Sequence, residues 1–297
     1  MDQFTLEIPA SVRSHFVVAT DLNVSRPAHL VAGRLVRLHA EGHPLAADAL
    51  ALLRSSKVEV ETVPAAESGW REELADLAGP DHQVQVLTAC LFHQIITVAA
   101  PTGQQPRTAQ LSRMIARVLA ANTRGVLADM AAHHIVPDAH HLDQENEVFH
   151  AADHWMTVFL TQDDSTGETL KAETWGLSRF GLPELCTRGF PPDVSMTAVN
   201  LLRGLIMQLL DEHWTHLATP STGPARILAT SRAFDTTWIY RYHGLTPART
   251  RTLAIQLRPL PGSPTADLEI LPPEPMQLRT ARWWRNHSTL TIPPLDH

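Results

Sequence analysis

The stretch RTAQLSRMIARVLAANTRGVLADM, residues 107–130, decides how this chain is read. Leu111, Ile115, Val118 and Leu119 recur at helical spacing, and the arginines fall on the other side. That is the pattern of an amphipathic helix over 107–122 with one apolar face. GVLADM (125–130) reads as the strand it delivers.

Working outward, the same strand and helix texture repeats. SHFVVAT (14–20) is a short apolar run that predicts a buried strand. A helix follows in which Ser25 caps, Pro27 sits in the first turn, and Leu30, Val31, Leu35 and Leu38 make the stripe. Pro44 opens a second helix through Leu45, Ala49, Leu52 and Leu53, and KVEVETV (57–63) alternates as a strand wet on one face. PAAESGWREELADLAGPD reads as a connection with at most one short helix. VQVLTACLFHQIITVAA (84–100) is the most apolar run; its β-branched residues predict two strands, or one bent strand, divided near His93.

Downstream, HWMTVFLTQ (154–162) and TLKAETWGL (169–177), separated by the turn formers DDSTG, predict a hairpin. Asp193 is the expected cap of the strongest helix, whose Val194, Leu201, Leu202, Leu205, Ile206, Leu209 and Leu210 form a broad apolar stripe. Beyond residue 218, ARILATSRAF, TTWIYRYH, RTRTLAIQLRPL and ADLEILPP read as strand-like pieces among prolines. The element order predicts an α+β fold, mainly antiparallel sheet with helices on one face. Two successive βαβ-like units, with helices at 26–55 and 107–122, add an expectation of ferredoxin-like geometry. The domain expectation is a core over 1–217 and a β-rich C-terminal extension over 218–297 packed on it.

Composition narrows the function classes. The 297 residues are 44% hydrophobic and 19% charged, as in a globular chain with a sizeable core. Net charge is −7, from 24 Lys+Arg against 31 Asp+Glu, which argues against sequence-independent nucleic-acid binding. The start MDQFTLEIPASVR lacks a basic region and an apolar core, so the expectation is a cytoplasmic protein with no membrane segment. Cys90 and Cys186, far apart and without a CxxC partner, are expected as buried free thiols.

The chemistry-bearing stretch is AAHHIVPDAHHLDQENEVFHAADHW (131–155), which holds His133, His134, His140, His141, His150 and His154 of the chain's 17 histidines. With Asp138, Glu147 and Asp153 it offers enough donors for zinc or a similar divalent ion, but the spacing matches no HExxH or other ligand motif. No cofactor is expected on that ground; a divalent metal is the alternative. His150 and His154 would share a face if EVFHAADHW were helical, and the bland reading is a polar surface connection. PTGQQPRT (101–108) precedes a helix but has one glycine and no GK[ST], so anion binding there is unspecific. ARWWRN (281–286) sets Trp283 and Trp284 beside Arg282 and Arg285; self-packing ranks first, a protein partner second and nucleic acid third.

The stretch LKAETWGLSRFGLPELCTRGFPPDVSMTAVNLLRGLIMQLL (170–210) resembles the signature region of a bacterial family catalogued as a domain of unknown function, number forty-two sixty-one. Thr174, Gly176, Leu177, Phe180, Gly181, Pro183, Glu184 and Leu185 carry the resemblance, which spans about residues 14–215. It implies a strand, a glycine-bracketed turn, a Glu-Leu pair and an amphipathic helix, and no activity. Glu184 is the one member with catalytic potential, against a reading as acceptor for backbone donors; Phe180 and Leu185 should anchor the turn. Taken together, these readings favour an accessory or protein-binding factor of the immunity or assembly kind. The alternative is a metal-dependent hydrolase with its ion on the 133–154 segment and Glu145 or Glu147 as general base.

Overall fold

The computed structural model describes residues 2–163, 167–219, 223–247, 250–261 and 267–292. The chain forms two compact units, one of residues 11–149 inserted in sequence into the other, which comprises 1–10 and 150–297. Strand β1 (Gln3–Glu7) belongs to the host unit.

The inserted unit runs β2 (Ser11–Thr20), α1 (Pro27–Ala40), α2 (Ala46–Leu53), β3 (Val58–Pro64), α3 (Arg71–Ala75), α4 (Asp81–Ala89), β4 (Phe92–Pro101), α5 (Arg107–Thr123), β5 (Val126–Asp129) and β6 (His134–Ile135). Its sheet has the order β3-β4-β2-β5-β6, and every neighbouring pair is antiparallel. Side chains alternate along β2. Phe16 and Val18 meet Val31, Leu35, Ala49 and Ile115 of α1, α2 and α5, whereas Val17 and Ala19 meet Leu74 and Leu87 of α3 and α4. Helices therefore cover both faces of this sheet, not one, which is why β2 is buried without a break from Phe16 to Thr20.

Two local readings change for identifiable reasons. Val84–Ala89 is helix and not strand: Asp81 sits in the first turn, where an acid suits the helix dipole, and Leu87 is the buried residue. His93, fully buried on β4, bonds through Nε2 to Leu87 O at 3.2 Å and fastens that helix to the strand. The two expected caps do not form: Arg26 occupies the position expected of Ser25, and Asp193 lies in a turn before α6.

The host unit continues with β7 (Thr157–Gln162), β8 (Leu170–Trp175), β9 (Leu185–Phe190), α6 (Ser195–Ala218), β10 (Ala225–Ala229), β11 (Ser231–Asp235), α7 (Thr237–Tyr242), β12 (Thr252–Pro259) and β13 (Leu268–Leu271). The 157–175 hairpin is present, and β1 pairs antiparallel with β10. A six-stranded sheet has the order β11-β12-β13-β9-β8-β7, with β13 and β9 its parallel pair. Of the β-rich stretch after 218, β11, β12 and β13 continue the 157–190 strands in one sheet; the two compact units divide in sequence near 10 and 149, and residue 217 lies within α6. TTWIYRY is helical, because Asp235 Oδ1 receives the Thr237 amide at 2.8 Å and its hydroxyl at 2.6 Å. Ile239 and Tyr242 then point inward one turn apart.

Helix α6 buries the whole expected stripe, Val194 through Leu210. It approaches β11 closely at Gly204, where a Cβ would stand 2.5 Å from Phe234 Cζ and 2.7 Å from Ile239 Cγ1. Among the described residues no helix is long and apolar enough to cross a membrane.

Candidate functional site

The histidine-rich segment is held down by the helix it follows. Gln110, Arg113 and Arg117 lie three and four residues apart on α5 and so share one face. That face was expected to be wet; both arginines are buried. Glu145 receives Arg113 through Nη2 and Nε, each at 2.9 Å, and Arg117 Nε at 3.1 Å. Arg117 Nη1 also donates to Asp138 O at 2.8 Å, and Gln110 Nε2 to Asn146 O at 3.0 Å. The strap 137–147 thereby closes the side of α5, which is why every residue from Thr108 to Ala120 is buried.

The imidazoles serve the same end. His43 Nδ1 accepts the Leu45 amide at 3.2 Å, which leaves Nε2 as the protonated nitrogen donating to Leu142 O at 3.0 Å. His140 Nε2 donates to Gly125 O at 2.9 Å. His134 is buried in β6, His133 and His154 adopt left-handed backbone angles, and His141 lies 3.9 Å from Asp138. Residues 151–154 form a turn and His150 lies outside any helix, so His150 and His154 do not share a helical face. Among the described residues no group of three or more His, Cys, Asp or Glu is placed to hold a metal ion. Glu145, enclosed by two guanidiniums, has no approach to a metal-bound water, and Glu147 is exposed with its carbonyl taken by Gln110 at 3.2 Å.

Glu184 organises a turn. Its Oε1 accepts the amides of Gly176 and Ser178 at 2.9 and 3.1 Å, and its Oε2 accepts the Thr174 hydroxyl at 2.7 Å. Thr174 Oγ1 in turn accepts the Leu185 amide at 2.8 Å. Gly176 and Gly181 have φ of 119° and 80°, so the two glycines bracket a turn that L side chains would strain. Burial pushes the Glu184 carboxyl up to about 7, against the pull of the Thr174, Ser178 and Gly176 donors. The carboxylate's partners, Thr174 at the end of β8 and Gly176 and Ser178 in the turn, are all local, the arrangement of a structural acceptor. Phe180 and Leu185, both fully buried, anchor that turn.

The ARWWRN segment packs on its own unit. Trp284 is fully buried with its ring 5.4 Å from Phe190, and Trp283 lies edge-on to it at 4.8 Å. Neither ring is left for a partner. Arg282 is exposed, and Arg285 pairs with Asp193 at 3.3 Å.

A concavity that the sequence did not single out lies in the inserted unit, where the end of β2 meets the ends of α4 and α5. It encloses about 650 Å³ and is lined by Asp21, Leu22, His82, Val86, Cys90 and Arg124, among others. Arg124 closes α5 in a left-handed conformation, φ 51°. Gly125 follows because a Cβ there would stand 2.6 Å from Val18 Cγ1 and 2.7 Å from Ala19 O. Asp21 Oδ1 accepts the Leu91 amide at 3.1 Å, which holds the α4–β4 turn against the β2 end. Of the lining, Leu22 and Val86 are 53% and 42% exposed, and Leu91, next in sequence to Cys90, is 62% exposed. Both cysteines are free; burial raises the half-buried Cys90 thiol, which therefore stays protonated and a poor nucleophile. The lining thus sets two exposed apolar side chains, Leu22 and Val86, beside one acid, one base and an imidazole. The only sequence signal was the odd apolar residue in polar turns, Leu22 and Leu91, which looks the same in a core turn.

No family model, no curated protein and no solved structure matches this chain.

Proposed function

We propose that this chain is a cytoplasmic accessory factor, of the immunity or assembly kind, that acts by binding another protein through the hollow end of its inserted unit. The observation that carries the reading is the exposure of Leu22 and Val86 in the lining of the hollow, with exposed Leu91 next in sequence to its Cys90, since exposed apolar side chains grouped in one place mark interaction sites. In the strap, Glu145 is engaged by the Arg113 and Arg117 guanidiniums, and His43 and His140 donate to backbone carbonyls, so these groups serve the fold. No observation among the described residues favours a metal-dependent hydrolase.

Two finer readings belong here. The order β3-β4-β2-β5, with β2 parallel to β3 across β4 and β4 parallel to β5 across β2, supports a ferredoxin-like core of two split βαβ units. The turn from Thr174 to Leu185 supports kinship with family number forty-two sixty-one, through a glutamate that satisfies the glycine-bracketed backbone.

The test is affinity capture from a bacterial lysate with the wild-type chain and a Leu22→Asp/Leu91→Asp variant, followed by titration of the captured protein against both. The expected result is one protein retained in near-equal amount by the wild type and lost by an equally stable variant. Equal retention by both, or no specific retention, would overturn the reading.

A further inference from the structure

The six-stranded sheet of the host unit ends at β11, and among the described residues no strand pairs with its outer edge. Two backbone bonds set the parity of the β11–β12 ladder: Leu257 N–H donates to Thr230 O at 2.8 Å and Thr236 N–H to Arg251 O at 2.9 Å. With Ser231 opposite Gln256 and Asp235 opposite Thr252, the even-numbered residues turn their backbone groups toward β12. Ser231, Ala233 and Asp235 turn theirs outward. Among the described residues nothing bonds to those outward groups, and Ser231 and Ala233 are exposed.

Open edges are usually guarded by charge or proline. The edge strand β3 of the other sheet has that protection in exposed Glu59 and Glu61 and in Pro64. On β11 the two charges are engaged within the unit: Arg232 pairs with Glu212 of α6, and Asp235 receives Thr237 at the start of α7. Neither is free to repel an incoming strand.

We propose that β11 pairs with β11 of a second copy of this chain, antiparallel, about a two-fold axis at Ala233. The strand is self-complementary in that register. Ser231 stands opposite the partner's Asp235, a hydroxyl beside a carboxylate; Arg232 stands opposite the partner's Phe234; and the small Ala233 faces its own counterpart at the axis. No like charges meet. A one-residue slip would turn Arg232 and Phe234 to the wrong face, so the sheet they already pack against fixes the register. Two five-residue strands bury less than a standard interface, which places the association in the micromolar to millimolar range. This interface is separate from the hollow end of the inserted unit.

Sedimentation velocity of the full chain from low micromolar to near-millimolar concentration tests the proposal, with Ala233→Pro as the discriminating variant. Proline removes an N–H that points to solvent in the monomer, a position where edge strands tolerate it, so the fold should persist by circular dichroism and melting. The expected result is a concentration-dependent rise toward the dimer mass, with the dissociation constant raised about tenfold or more in Ala233→Pro. Should that variant misfold, oxidised Ala233→Cys supplies the readout. Opposed Cα atoms would lie about 5.5 Å apart, within disulfide reach, whereas two Ser231→Cys sites would be about 13 Å apart and stay uncrosslinked. A monomer at every concentration, dimerisation unchanged by Ala233→Pro, or equal crosslinking of the two cysteine variants would overturn it.

Discussion

Arg113 and Glu145 meet in a buried pair, Nη2 to Oε1 and Nε to Oε2 both at 2.9 Å, with side chains 3% and 1% exposed. Arg117 shares the same carboxylate, so one acid holds two guanidiniums and a whole strap of chain. Removing one member of such a group leaves buried charge without compensation. Glu145→Ala should cost about 3–5 kcal/mol in chemical unfolding and expose 137–147 to proteolysis. A loss below about 1 kcal/mol would mean that the pair does not hold the strap.

The double variant His140→Ala/His141→Ala should behave as a small structural lesion. It removes the His140 bond to Gly125 O and the proximity of His141 to Asp138, for about 1 kcal/mol in all. Chelator should leave the wild-type melting temperature where it was, since a bound ion would stabilise the fold by mass action. Elemental analysis that found one ion per chain, lost in the variant, would contradict this.

Glu184→Ala and Glu184→Gln should separate widely. Alanine strands the Gly176 and Ser178 amides and the Thr174 hydroxyl, at about 1–3 kcal/mol for each group left unsatisfied. Glutamine keeps an acceptor for the two amides and should cost far less. Similar losses in the two variants would show that the turn does not depend on the acceptor.

Two residues of opposite sign should set how the stability of the host unit changes between about pH 4 and 7. Burial first, then the Arg226 guanidinium, lowers His213 from about 6.5 to about 4, with His216 adding repulsion and the Phe180 backbone opposing it. The unfolded chain then binds more protons between those values, so stability falls as pH drops from 6.5 toward 4, by on the order of 3 kcal/mol at most. Glu184, raised from 4.5 to about 7, contributes fully below 4.5 and loses that contribution as pH rises through 7. The two windows overlap between about 4.5 and 6.5 and nearly cancel there, so His213→Phe should leave stability falling as pH rises toward 7 and Glu184→Gln should leave it falling as pH drops toward 4, in urea unfolding across pH 4–8. Unchanged slopes would refute the assignment.

Gly204→Ala runs against intrinsic helix preference, which favours alanine by about 1 kcal/mol. With Phe234 and Ile239 2.5–2.7 Å from the new methyl, overpacking of about 1–3 kcal/mol should win and lower the melting temperature. A more stable variant would show that α6 can move away from β11.

Periodicity along the chain was enough to identify most elements: the SHFVVAT strand, the alternating KVEVETV, the helix at 107–122, the 157–175 hairpin and the apolar stripe of α6. These depend on neighbours within a few residues, which sequence carries directly. It also offered the acceptor role of Glu184, because the glycines that need such an acceptor stand beside it. What tertiary structure alone decided was which surfaces are wet. Arg113 and Arg117 look like a solvent face until Glu145, about thirty residues on, is folded over them. VQVLTA looks like strand until Leu87 finds the sheet. TTWIYRY became a helix through a carboxylate one residue outside it, and the β-rich tail joined β9 through a parallel pairing across some eighty residues. Burial is a property of partners brought together by the whole fold, so no local pattern can state it.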